Sequence, residues 1–318
     1  MNHREIGKSG VKVSELIFGC WSMGGDYFGA VNDSESVRCI RTSIEAGVDS
    51  FDNAELYGDG RAEEVLGKAL QGIDRSKLTL ISKAWTTHFG KEEMEKACVR
   101  TLRRLCTDYL DIYFLHYPPK EQSIAEAMEN IGALKEKGLI RAVGVSNFSL
   151  EELNEAQKYG VVDVIQPCYS LLWRYIDRDI LPYCIENGIG VIPYSTLAQG
   201  LLTGRFHKDS VFDDGRRKAA LFQPGIYEKC LEVADFVVKT AAKYGKTAAQ
   251  AGINWLINTP GITAPIVGGT NERHALENTG AADFTLSAED YRAIDEKSRV
   301  FTDNMPEFEL FFNSNIKV

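Results

Sequence analysis

Residues 18–29 read FGCWSMGGDYFG. They follow the first apolar run, SELIFG (14–19), at the point where a doubly wound dinucleotide-binding sheet would carry G-x-G-x-x-G and turn at once into a helix. Glycine is plentiful here, but its spacing does not make that turn. The next helical pattern waits until DSESVRCIRTSIEAG (33–47), with Asp33 or Ser34 as its cap and Gly47 as its stop. An open sheet thus lacks its phosphate loop.

Outward from this stretch, short apolar runs alternate with amphipathic ones. VDSFD precedes RAEEVLGKALQG, LTLISK precedes KEEMEKACVRTLRRLC, and LDIYFLH precedes SIAEAMENIGALKEKG. IRAVGVSN, DVIQP, IGVIPYS and APIVGG continue the series, each followed by a helical run. Parallel strands buried on both faces read as continuous apolar runs and not as alternation. The expectation is therefore a single α/β domain over 1–318, a (β/α)8 TIM barrel. Residues 1–15 would form an N-terminal β-hairpin plugging its bottom, and residues 300–318 an extended C-terminal tail. Residues 25–32 read as a loop above the first strand, and residues 202–225 as a mobile loop. Phe308, Phe311 and Phe312 in the tail would pack on the barrel or in a subunit contact; the sharper alternative lays them over the mouth.

The 318 residues are 44% hydrophobic, enough for a sizeable core, and carry a formal charge of −9. With no Lys/Arg block, that field argues against nucleic acid and anionic membranes as partners. Seven cysteines without a CxxC argue against a disulfide scaffold. The start MNHREIGKSG lacks a leader-like apolar run, and no stretch approaches a bilayer span. A cytoplasmic protein of open oligomeric state is the expectation. No HxxH or HExxH pairs the histidines, so no metal site is expected.

Chemistry on such a barrel sits where strands end. The second run ends in Asp52 with Tyr57 in the next loop. The third ends in Lys83, the fourth in His116, the fifth in Ser146 and Asn147, the sixth near Gln166, and the seventh in Tyr194 and Ser195. Alone, each has a plain structural reading as a cap, a core ring or a surface lysine. Together they put an acid, a phenol, an ammonium and an imidazole on one rim, which stability alone does not require. Lys83 would pair with Asp52 and lower the pKa of Tyr57 by its charge. Tyr57 would then donate a proton to a carbonyl oxygen, with His116 donating a hydrogen bond to the same atom. No side chain supplies a hydride, so a nicotinamide cofactor is implied.

The segments LIFGCW, FDNAELYG, LISKAW, LDIYFLH, GVSNFS, VIQPCYSLL, VIPYSTLAQGLLTG and IVGGTNERHALEN resemble the aldo-keto reductase family over nearly the whole chain. Asn53 stands where the family commonly has Thr. The resemblance implies that Asp52, Tyr57, Lys83 and His116 are the catalytic tetrad. It implies that Ser146, Asn147 and Gln166 bind the nicotinamide carboxamide and that Tyr194 stacks on the ring. Ser195, Leu197 and Gln199 would follow the pyrophosphate, with Arg205 adding a cation. Gly268, Thr270, His274, Glu277 and Asn278 would meet the adenosine end. Many NADP-preferring relatives begin that late motif with Lys-Ser and carry an Arg four residues before its closing Asn; here Gly268, Gly269 and His274 stand instead. NADP(H) is favoured on the family tendency, with NAD(H) as the alternative. Trp21, Tyr27 and Trp85 would line a pocket for a small carbonyl or alcohol substrate. The rival readings are a non-catalytic, cofactor-binding redox-sensing subunit and an NAD-preferring sugar or polyol dehydrogenase.

Overall fold

A computed structural model describes residues 1–305 of the chain; Phe308, Phe311 and Phe312 lie outside the described residues. The chain begins with an antiparallel pair, β1 (His3–Glu5) and β2 (Lys12–Ser14). Among the described residues eight parallel strands follow: β3 (Ile17–Gly19), β4 (Ser50–Asp52), β5 (Thr79–Ala84), β6 (Leu110–Leu115), β7 (Ile140–Ser146), β8 (Val164–Gln166), β9 (Gly190–Val191) and β10 (Ile266–Gly268). They pair in the order β10-β3-β4-β5-β6-β7-β8-β9. The ring closes because Thr263 N–H donates to Val191 O at 2.8 Å and Ile266 N–H to Pro193 O at 2.9 Å. This is the (β/α)8 barrel that the sequence implied.

Alternate strand residues sort into two cores. Ile17, Ile81, Ile112, Phe114 and Val164 fill the barrel, while Phe18, Leu80, Tyr113, Val143 and Ile165 pack outward under the helices. Both faces are therefore apolar, as parallel strands require. Ile6, Val11 and Val13 of the hairpin join the inner cluster and seal one end.

The helices are α1 (Asp33–Glu45), α2 (Arg61–Ala69), α3 (Lys91–Leu105), α4 (Ile124–Glu136), α5 (Leu150–Ala156), α6 (Ile180–Asn187), α7 (Tyr227–Ala242), α8 (Ala248–Ile257), α9 (Glu272–Thr279) and α10 (Ala288–Thr302). Their starts are chemically marked. Ser149 and Thr247 form capping boxes with Glu152 and Gln250. At α1 the cap is Asn32, whose Oδ1 accepts from Ser34 and Glu35 N–H, so the start lies just before the expected Asp33 or Ser34.

Two expectations need correction. The seventh strand is only two residues long, because Pro193 interrupts the run and has no N–H to give to a ladder. Residues 202–225 are also more regular than an irregular loop. The segment is built from short 3₁₀ turns, Ala198–Thr203, Gly215–Lys218 and Ala220–Phe222. Phe206, Phe212 and Phe222 meet edge to face beneath it, with centroids 5.0 and 4.8 Å apart. These rings are spaced too irregularly to show a period, yet they converge on one cluster.

Candidate active site

Asp52 is the last residue of β4, and it shares the inward parity of Ile81 and Lys83 on the neighbouring β5. That parity turns carboxylate and ammonium toward each other at the open end of the barrel. Lys83 is wholly buried. Its Nζ donates to Asp52 Oδ2 at 2.8 Å, Asp52 Oδ1 at 2.9 Å and Asn53 O at 2.6 Å, and meets Tyr57 Oη at 3.1 Å. A buried ammonium needs such compensation. The 114-residue step to Gln166 adds a further bond, from its Nε2 to Asp52 Oδ1 at 2.8 Å.

Tyr57 is brought to this pair by a close crossing of loops. A side chain at Gly24 would place its Cβ 2.6 Å from Gly58 N and 2.8 Å from Tyr57 C, so only glycine lets the Trp21–Gly24 turn lie against the Tyr57 loop. On the other side of the phenol lies the His116 ring, edge-on at 5.8 Å. Burial, and then the Lys83 charge, holds His116 well below the ordinary histidine range; its buried Nδ1 has no partner among the described residues. The imidazole is therefore neutral.

The expected lowering of the Tyr57 pKa is not what the site produces. Burial first, and then the Asp52 charge, pushes the phenol well above its ordinary value. Burial also lowers Lys83, against the pull of Asp52. Burial and the Asp52 carboxylate, bound to the ammonium through two oxygens, outweigh the pull of Lys83 on the resting phenol, so Lys83 supports a phenolate by its hydrogen bond without creating one at rest. Tyr57 is a proton-bearing donor at neutral pH.

The next strand ends meet in a chain of bonds. Ser146 Oγ donates to Gln166 O at 2.8 Å, Asn147 Nδ2 to His116 O at 3.0 Å, and Tyr194 Oη to Asn147 Oδ1 at 2.7 Å. Beyond them the backbone takes left-handed conformations at Ser195, Ala198 and Gln199, with φ of 53°, 48° and 55°. The buried Gln199 Nε2 has no partner among the described residues, an orphaned donor of the kind a bound phosphate oxygen would satisfy. Leu197 packs against the core cluster. Arg205 stacks over Phe206 at 4.7 Å. Burial, and then the like charges of Arg216 and Arg273, lowers its pKa.

At the late motif several side chains serve the fold. Asn271 caps α9, Asn278 Nδ2 donates to Gly268 O at 3.1 Å, and Thr270 Oγ1 lies 3.3 Å from His274 Nδ1. Burial and then Arg273 lower the His274 pKa, with Glu277 opposing, so His274 is neutral at pH 7.

Aromatic residues gather beside Tyr57 and His116. Trp21 lies 6.3 Å from Tyr57, 4.7 Å from Tyr27 and 5.1 Å from Phe28. Trp85 meets His116 at 5.4 Å and Tyr117 at 5.6 Å, both edge-on. Tyr27 also reaches the 198–203 turn, where its Oη donates to Gln199 Oε1 at 3.3 Å. Sequence reasoning missed Glu55 and the bond from Gln166 to Asp52. Glu55 lies inside FDNAELYG, but its partners come from the Trp85 turn and α3.

A closed parallel barrel with an acid, a phenol, an ammonium and an imidazole at one mouth has the layout of an NAD(P)-dependent oxidoreductase. The model of the Aldo/keto reductase family matches residues 15–299, and the chain belongs to that family. It is 30% identical over 306 residues to aldo-keto reductase YhdN of Bacillus subtilis, covering 92% of each chain. It is 30% identical over 310 residues to the NADH-specific methylglyoxal reductase of Escherichia coli, covering 90% of this chain and 94% of that one. Among solved structures, an aldo/keto reductase from Klebsiella pneumoniae in complex with NADP and acetate superposes with a TM-score of 0.79 at 30% identity, covering 98% of this chain and 99% of that one. Among the described residues no helix is long and apolar enough to cross a membrane.

Proposed function

We propose that this chain is a cytoplasmic NADP(H)-dependent carbonyl reductase, acting reversibly on an aldehyde, ketone or sugar carbonyl, with Tyr57 as general acid. The observation that carries this reading is the contact of Lys83 Nζ with Tyr57 Oη at 3.1 Å, with Asp52 behind the ammonium and the His116 ring facing the phenol.

Ser146, Asn147, Gln166 and Tyr194 would hold the nicotinamide, and the 195–199 backbone with the Gln199 amide would hold the pyrophosphate. The orphaned Gln199 Nε2 supports that fit. Bound there, NADP(H) would supply the hydride. The chain's own groups manage the oxygen and its proton. His116, neutral, donates a hydrogen bond to the carbonyl oxygen and polarises it. Tyr57 gives that oxygen its proton. The phenolate left behind lies beside Lys83, whose charge stabilises it until solvent returns the proton. Asp52 keeps Lys83 protonated in its buried site.

NADP(H) is favoured on the family tendency and on the Klebsiella pneumoniae relative's complex with NADP, with Arg205 and Arg273 as the cations that would meet the added phosphate. A second reading, NADH use, has its own support: Gly268, Gly269 and His274 carry no fixed charge, and the Escherichia coli relative is named as NADH-specific. A steady-state screen of aldehydes, ketones, sugars and polyols with both cofactors tests the proposal. Tight NADPH binding with no turnover across that panel would favour a redox-sensing subunit instead.

A further inference from the structure

Glu55 takes no part in the chemistry above, yet it is only 6% exposed. Its Oε1 accepts Trp85 N–H at 2.7 Å and faces His88 Nδ1 at 2.8 Å, while Oε2 lies 3.4 Å from the Arg100 guanidinium. The first two partners stand at opposite ends of one 3₁₀ turn, Thr86–His88, closed by His88 N–H to Trp85 O at 2.9 Å. Arg100 belongs to α3 and ties the carboxylate to the helix behind that turn. Trp85 in turn sets its indole edge-on against His116 and Tyr117. The loop that carries the phenol therefore also holds the turn that carries Trp85.

We propose that Glu55 is a positioning residue that fixes the Trp85 indole and so sets which carbonyl compounds the pocket accepts, leaving proton transfer unaffected. This deepens the carbonyl-reductase reading and rests on it. A carboxylate suits the task because both oxygens accept. A glutamine would keep the volume but turn an NH₂ toward Arg100 or toward the Trp85 N–H. In the first case the glutamine loses its charge pairing with the half-exposed Arg100 and the tie to α3, and in the second the Trp85 N–H loses its acceptor, so the turn loosens.

The test compares methylglyoxal, which has no ring, with 2-naphthaldehyde, using NADPH and four chains: wild type, Glu55→Gln, Trp85→Ala and the double variant. Glu55→Gln should raise KM for 2-naphthaldehyde roughly tenfold, of the order an apolar pocket contact supplies, and move methylglyoxal kcat/KM by less than about twofold. Its effect on 2-naphthaldehyde should vanish in the Trp85→Ala background, since the two residues act through one contact. Equal losses on both aldehydes, or full additivity of the two substitutions, would overturn the proposal. Acrylamide quenching of Trp85, taken as the difference between each chain and its Trp85→Phe counterpart, reads the same contact without turnover. Glu55→Gln should increase it, and an unchanged value would also overturn the proposal. Failure of the wild type to reduce either aldehyde with NADPH and with NADH would strike the reductase reading, while the quenching result would still decide the role of Glu55.

Discussion

Replacing Lys83 by Met should separate the structural from the chemical side of the tetrad. Methionine fills similar volume but removes an ammonium that contacts both Asp52 oxygens, Asn53 O and Tyr57 Oη. Asp52, 3% exposed, would keep the Gln166 amide as its hydrogen-bond donor. Breaking a buried ion pair from one side costs about 3–5 kcal/mol. An unfolding entropy of about 2.1 cal/mol/K per residue over 318 residues makes each kcal/mol equal to about 1.5 °C. The expected fall in Tm is therefore about 4–8 °C at pH 8, measured by scanning calorimetry or circular dichroism. Adding Asp52→Asn removes the stranded charge and should recover most of that loss. Turnover should stay at least roughly 10²-fold down in both variants, because neither keeps a cation beside Tyr57. A Tm within about 1 °C of wild type for Lys83→Met, or a double variant as unstable as the single one, would refute the charge argument.

Other expectations can be checked beside it. Tyr57→Phe should reduce turnover by roughly 10² or more; cofactor dissociation constants should stay close to wild type, because the phenol serves the oxygen of the substrate. Its Tm should move little, because Lys83 Nζ still has three acceptors closer than the lost phenol. Burial keeps His116 neutral from below its ordinary pKa upward, and keeps Tyr57 protonated past its own. Reductive kcat should therefore be flat from about pH 6 to about pH 9, and a titration inside that window would contradict both assignments. Arg205→Ala and Arg273→Ala should each weaken NADPH more than NADH in fluorescence titrations, by roughly fivefold or more at low salt. Equal weakening of both cofactors would remove the two arginines from phosphate recognition.

Much of this site was legible because polar, ionisable residues ended apolar runs. Asp52, Lys83 and His116 each stand at the C-terminal end of an apolar run, and a barrel puts such ends on one rim. Tyr57 was legible from its spacing within FDNAELYG. The sign of its pKa shift was not, because it depends on how far the Lys83 charge is already spent on Asp52 and how deeply the ring is buried. The Gln166 amide bond to Asp52 was equally hidden, since nothing in either local pattern pairs residues 114 positions apart. The two-residue β9 follows from Pro193, which the apolar run masked. The 202–225 segment concealed its ring cluster because convergence of Phe206, Phe212 and Phe222 has no period to detect.

The short seventh strand has a use in protein engineering. Between β9 and β10 the chain leaves the ring for more than seventy residues, and near the tip of that excursion Val211 is 90% exposed. Exposed loop tips are where backbones tolerate cutting. Dividing the chain there would give one piece bearing the acid, the phenol and the imidazole and another bearing the Arg273 end, so that reassembly of the two could report proximity between proteins fused to them.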